Sequence, residues 1–258
     1  ESATIYKDNT NAGAPASDKF LPDGWPALAA RYGHSYTAVG GWRDNYPQTI
    51  TSKYPIETLL KITDTEQAGK PVSHGAAIQQ VTVKGHKINV VTLHTWPQAY
   101  AFGVTGSANQ AASAANNEGD KYRAFEIGYI CDKTVNDPAY AAQEDWLMMG
   151  DFNSFSPLDK NDLSGGNTIN YQVHQTILDN GYRDPVREMN INFVRSCPTI
   201  YGGWTGPTES YKGSRIDFIY ASGEAMRNML NAQILMDNFT DNYSDHYPVT
   251  VTCRIYNE

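Results

Sequence analysis

The chain has 258 residues, a formal net charge of −8, 40% apolar and 19% charged residues. This length suits one large domain or two small ones, and the apolar share describes a globular protein and excludes a disordered one. The charge excludes a strongly basic nucleic-acid footprint, although carboxylates that hold cations also count as negative in that sum.

Glu1 to Thr10 is short and polar, and Asn11–Ser17 carries loop residues. Trp25–Tyr32 predicts a short helix with Pro26 in its first turn and Gly33 as its stop. His34–Val39 predicts a strand broken by Gly40-Gly41. Thr49–Ile56 predicts a strand that turns at Pro55, with extended structure resuming at Leu59–Ile62. Gln79–Lys84 and Lys87–His94 predict a hairpin turning at Gly85-His86. The second of these strands is almost wholly apolar until His94 and should lie centrally, buried on both faces.

Ala99–Asp120, rich in Ala, Ser, Asn and Gly, is expected to be a long surface excursion. Lys121–Ile130 has apolar residues at helical spacing. Trp146–Met149 predicts a short buried strand halted by Gly150-Asp151-Phe152-Asn153. Tyr171–Leu178 predicts a helix ending at Asn180-Gly181, and Cys197–Gly213 a long loop. Strands follow at Ile216–Tyr220, Ala232–Met236 and after Pro248, where the proline suits a strand's first residue. Strands with two or three helices and no regular alternation predict packed, largely antiparallel sheets with helices outside.

The three cysteines, Cys131, Cys197 and Cys253, lack zinc-type spacing and read as three buried thiols, with one disulfide plus a free thiol as the alternative. No apolar run reaches the ~18 residues of a membrane span. Few Lys and Arg with many Tyr, Asn and Thr lean towards a secreted or periplasmic protein.

Four polar clusters share one context, the end or start of an apolar strand. They are His94; Asp151 with Asn153; Arg215 with Asp217; and Asp245 with His246. Strand ends on a rigid scaffold can aim side chains into one cleft. Each has an ordinary structural explanation, such as a satisfied histidine or an Asx-type turn at Asp151. Asp217 is harder to explain that way, because a buried carboxylate without a partner costs several kcal/mol. Arg215, two residues away, and His246 are its candidate partners.

Gly150-Asp151-Phe152-Asn153, Arg215-Ile216-Asp217-Phe218-Ile219 and Ser244-Asp245-His246-Tyr247-Pro248-Val249 resemble, in order, the three C-terminal signatures of the endonuclease/exonuclease/phosphatase (DNase I-like) superfamily. Thr92-Leu93-His94 resembles its strand-borne His motif, and Thr51–Ile56 its Ser-Arg/Lys-aromatic-Pro-Ile segment. The resemblance runs from about Lys53 to the end. It implies one α/β (α+β) domain, a four-layered sandwich of two mostly antiparallel sheets flanked by helices. No counterpart of the family's N-terminal Asn-bearing strand is visible, so the domain is expected to lack that strand in this sequence. Glu1 then stands where the family's metal-binding Glu would be.

The resemblance implies a divalent-metal-dependent phosphoester hydrolase using Mg²⁺ or Mn²⁺, acting as a monomer, with a phosphodiesterase or nuclease as first choice. A phosphomonoesterase or a sphingomyelinase-like phospholipase is the second reading, and a non-catalytic binding domain the third. By the same resemblance Asp151 activates or orients water, Asn153 fixes the nucleophile or a phosphoryl oxygen, and His246 meets the scissile phosphate with Asp217 behind it. His94 is the second imidazole; Asp245 and Glu1 bind metal. Acid and base roles stay open between His94 and His246. His74 or Tyr36 stands in for an upstream family residue. Arg215 and Trp204 are assigned to substrate, with Tyr201 and Tyr211 as further aromatic candidates.

Overall fold

The computed structural model describes residues 25–41, 43, 48–199 and 211–255. Helix α1 (Trp25–Arg31) leads into a small antiparallel pair, β1 (Tyr36–Val39) and β2 (Thr49–Ser52). The main sheet contains β3 (Ile56–Ile62), β4 (Ala76–Val83), β5 (His86–His94), β6 (Trp146–Asp151) and β7 (Asp217–Ala221), paired in that order. All its pairs are antiparallel except β5–β6, which is parallel. A second antiparallel pair, β8 (Met229–Ile234) and β9 (Val249–Cys253), closes the chain.

β5 is the central strand, as its apolar run requires. It turns from β4 through Lys84-Gly85, one residue before the expected Gly85-His86. Both turn residues have positive φ, 52° and 90°, the backbone of a two-residue hairpin matched to strand twist.

Alternation along the strands sorts two cores. Val91, Leu93, Trp146, Met148, Phe218 and Tyr220 face one side, where α3 (Glu118–Lys133) and α4 (Gln172–Asp179) supply Ile127, Ile130, Val173 and Ile177. Leu147, Ala221 and Ile219 face the other side and meet Met226 of α6 (Gly223–Arg227), Met229 and Val251. Each fully buried aliphatic side chain contributes ~1.5–3 kcal/mol, so covering both faces accounts for the apolar runs.

Ala99–Asp120 lies mostly at the surface, as expected, but much of it is helical. It contains α2 (Ser107–Ala115) and the first turn of α3, because its alanines are strong helix formers and Glu118 and Asp120 sit favourably at a helix start. Short helices α5 (Pro185–Met189), α6 and α7 (Asn238–Tyr243) bring the described helices to seven, against the two or three expected. Asp184, Ser222 and Asp237 accept from backbone N–H groups in their first turns. No helix among the described residues is long and apolar enough to cross a membrane. The three cysteines are free, with Cys131 and Cys197 buried and Cys253 half-buried.

Candidate active site

The site is assembled by register. Parallel pairing sets His94 opposite Asp151, and antiparallel pairing sets Asp151 opposite Asp217. Three polar residues on three neighbouring strands therefore form one row across the sheet's end. Gly150, at φ 154°, lets β5 and β6 approach there. A Cβ on it would lie 1.9 Å from the Leu93 carbonyl oxygen.

Beyond the row the chain reverses at Asn153, which adopts φ 45°, a left-handed conformation that Asn tolerates. The Asn153 N–H donates to Asp151 Oδ1 at 2.8 Å, the Asx-type turn foreseen for this segment. The second oxygen, Oδ2, is left 3.5 Å from His94 Nε2. The buried Asn153 side chain donates to the Thr95 carbonyl at 3.2 Å, and Thr95 Oγ1 donates to the Phe152 carbonyl at 2.6 Å. The loops after β5 and β6 are thus tied together.

Asp217 holds His246. Its two oxygens lie 3.0 and 2.8 Å from His246 Nδ1. Ser196 Oγ donates to Asp217 Oδ2 at 2.7 Å while accepting from the N–H groups of Ile216 and Asp217. Nothing in the local sequence marks Ser196 for this role, since it lies 21 positions from Asp217. His74 stacks on His94 with centroids 4.3 Å apart, whereas Tyr36, the other stand-in, is exposed on β1.

Burial, then the nearby Asp217 charge, push the Asp151 carboxyl up to about 7. For His246 burial works downward, but the bond to Asp217 and the charges of Asp217, Asp151 and Asp245 together outweigh it and lift the ring to about 9. His94 goes the other way. Burial, followed by the charges of His74 and His246, lowers it to about 3, so it is neutral at pH 7. One neutral and one cationic imidazole therefore flank two carboxylates. A cavity of about 380 Å³ opens beside them, lined in part by Gln48, Thr92, Asp151, Asp217 and Tyr247.

These donors fit a hard divalent cation. Asp151 and Asp217 face each other across adjacent strands, and Asp151's raised carboxyl marks a place where added positive charge is favourable. Asp245 is half-buried next to His246. Glu1 and Trp204, like Tyr201, lie outside the described residues.

Arg215 requires correction. It precedes β7, so strand alternation does not set it on the face of Asp217. Its guanidinium instead lies 2.9 Å from Asp159 and 2.6 Å from Asp184, with all three side chains 1% exposed. Its charge is thus buried and paired with these two carboxylates, not with Asp217. Tyr211 donates its hydroxyl to the Asn153 carbonyl at 3.0 Å and meets Phe155 edge-on, which supports the Asn153 turn.

No family model matches the sequence, and no curated protein does. Solved structures do match in shape. An AP endonuclease from Archaeoglobus fulgidus aligns over 93% of this chain and 86% of its own, with TM-score 0.58 and 16% identity. A 3′ phosphatase from Neisseria bound to a product DNA hairpin covers 91% and 84%, with TM-score 0.56 and 15% identity. An endonuclease/exonuclease/phosphatase family protein from Leptotrichia buccalis covers 95% and 83%, with TM-score 0.54 and 13% identity. Across most of its length, the chain has the fold of the endonuclease/exonuclease/phosphatase family proteins.

Proposed function

We propose that the chain is a divalent-metal-dependent phosphodiesterase, with nucleic acid as its first candidate substrate. The observation that carries this reading is the row His94–Asp151–Asp217, extended by the 2.8 Å bond from Asp217 to His246. It supplies an acceptor for a proton and a fixed cation within one cleft.

Asp151, raised to about 7, is matched to taking a proton from an attacking water near neutral pH. Such a positioned base contributes ~10²–10⁴-fold. His246, held as imidazolium by Asp217, offers a charged N–H to a phosphoryl or leaving-group oxygen. His94, neutral and stacked on His74, offers a ring that orients without repelling His246. Asn153, buried and fixed by its turn, ties the loops after β5 and β6 together behind Asp151. A divalent cation held by Asp245, with Asp151 beside it and Glu1 assigned by resemblance, would supply charge opposite the phosphoryl oxygens. With a net charge of −8, phosphate attraction must come from that cation and His246. The two-sided packing of the main sheet supports the four-layered sandwich reading as well.

The test is turnover of plasmid DNA, bis-p-nitrophenyl phosphate, p-nitrophenyl phosphate and sphingomyelin, with Mg²⁺ or with EDTA. Diester cleavage that EDTA stops, and that Asp151→Ala and His246→Ala each reduce at least ~10²-fold, is expected. Activity on the monoester or sphingomyelin alone selects another substrate class. No turnover of any phosphoester overturns the enzymatic reading.

A further inference from the structure

One trio of mixed metal-ligating groups occurs among the described residues: Cys197, Asp217 and His246. The Cys197 sulfur, an Asp217 oxygen and a His246 ring nitrogen all lie within 4.8 Å of one another. The hydrolytic reading uses the last two and leaves the thiol without a role.

The placement of Cys197 is built by the backbone. The N–H groups of Ser196 and Cys197 both donate to the Ser214 carbonyl at 2.9 Å, and the Tyr247 N–H donates to the Ser196 carbonyl at 2.7 Å. This wedges the segment between the start of β7 and the His246 turn. Cys197 is buried, while the Asp217 and His246 side chains are 15% and 33% exposed. The thiol therefore closes the trio from behind, and the other two donors open towards the cleft.

We propose that Cys197, Asp217 and His246 form a second metal site, for a thiophilic divalent cation of the zinc type, whose occupation blocks hydrolysis. A sulfur, nitrogen and oxygen set with an open fourth position suits zinc, whereas magnesium takes oxygen donors. Bond lengths of ~2.0–2.3 Å put tetrahedral zinc ligands about 3.5 Å apart, so the trio must close by roughly 1 Å. Buried among carboxylates, the thiol is held well above its usual range and stays protonated until metal arrives. Binding exchanges the sulfur–hydrogen bond for a sulfur–zinc bond and the Nδ1 proton of the imidazolium for a nitrogen–zinc bond. Both protons go to solvent. The bond between Asp217 and His246 is then replaced by metal ligation, and His246 no longer serves the phosphate. This last clause rests on the phosphodiesterase reading; the metal site itself does not.

The experiment uses the full chain freed of metal. Cobalt(II) is added as a spectroscopic probe, and zinc is titrated against a chromophoric chelator. One cobalt per chain with a near-ultraviolet thiolate-to-cobalt band, displaced by zinc, is expected. Cys197→Ser should lose the band and bind zinc at least ~10-fold more weakly. Should that variant fail to fold, His246→Gln should keep the band with similarly weakened affinity. Absence of the band, or unchanged zinc affinity in the variant that folds, overturns the site. Equimolar zinc should also stop diester hydrolysis in excess Mg²⁺, with recovery on chelation. Zinc binding without inhibition overturns the blocking role. Zinc binding by a chain that hydrolyses no phosphoester leaves the site standing and sinks the function above.

Discussion

Asp217→Asn preserves shape and removes the one charge bonded directly to His246. In the native chain that bond, 2.8 Å from carboxylate to Nδ1, is the first of the interactions that outweigh burial and lift the ring to about 9, ahead of the charges of Asp217, Asp151 and Asp245. The full rise from the ordinary imidazole value of ~6.5 is worth ~3.4 kcal/mol. The His246 side chain is 33% exposed, however, and solvent screening reduces the effective figure to ~1–2 kcal/mol. The His246 pKa should therefore fall by about 0.7–1.5 units in the variant. Diester turnover should fall at least ~10²-fold, because the ring loses the carboxylate that orients it. Because the folded pKa is raised, the pair's stabilisation is complete below pH 6.5 and disappears as pH rises through about 9. Native and variant stabilities should converge above that point. Titration of the assigned imidazole by NMR measures the pKa directly, independent of activity. A His246 that titrates in the variant as it does in the native chain would refute the assignment of Asp217 as its partner.

Two further outcomes test the scaffold. Arg215→Ala leaves Asp159 and Asp184 buried without their shared cation, and urea denaturation should show a loss of ~3–5 kcal/mol. A variant with native stability but lost turnover would return Arg215 to the substrate. His174, fully buried between the Tyr220 hydroxyl and the Ser154 carbonyl, is lowered by burial to about 3. The unfolded chain binds a proton there that the folded chain refuses. Stability should fall as pH drops below ~6.5, by ~1.4 kcal/mol per unit for this group. Urea midpoints between pH 7 and 4.5 should show a shallower slope in His174→Gln. An unchanged slope means His174 is not responsible.

The strand ends were readable because an apolar run closed by His or Asp is a local pattern. His94, Asp151 and Asp217 each announce themselves within a few residues. The Asn153 turn was readable for the same reason, since an Asp bonding the backbone two residues on is local chemistry. The helices at 107–120 were missed because few apolar residues mark a buried face there, and alanine propensity is a weak signal by itself. Arg215 was misjudged because alternation holds only inside a strand, and β7 begins two residues later.

By itself, then, the sequence determined which side chains stand at strand ends and which strand is central, since both follow from spacing along one segment. Tertiary structure alone decided which strands lie in register, and hence that His94, Asp151 and Asp217 form one row. It also decided that Ser196 and Cys197 sit behind Asp217 and that Arg215 turns to Asp159 and Asp184. Those choices join residues 20 or more positions apart, where partners are selected by packing and the cost of burying unpaired charge. No local pattern encodes them.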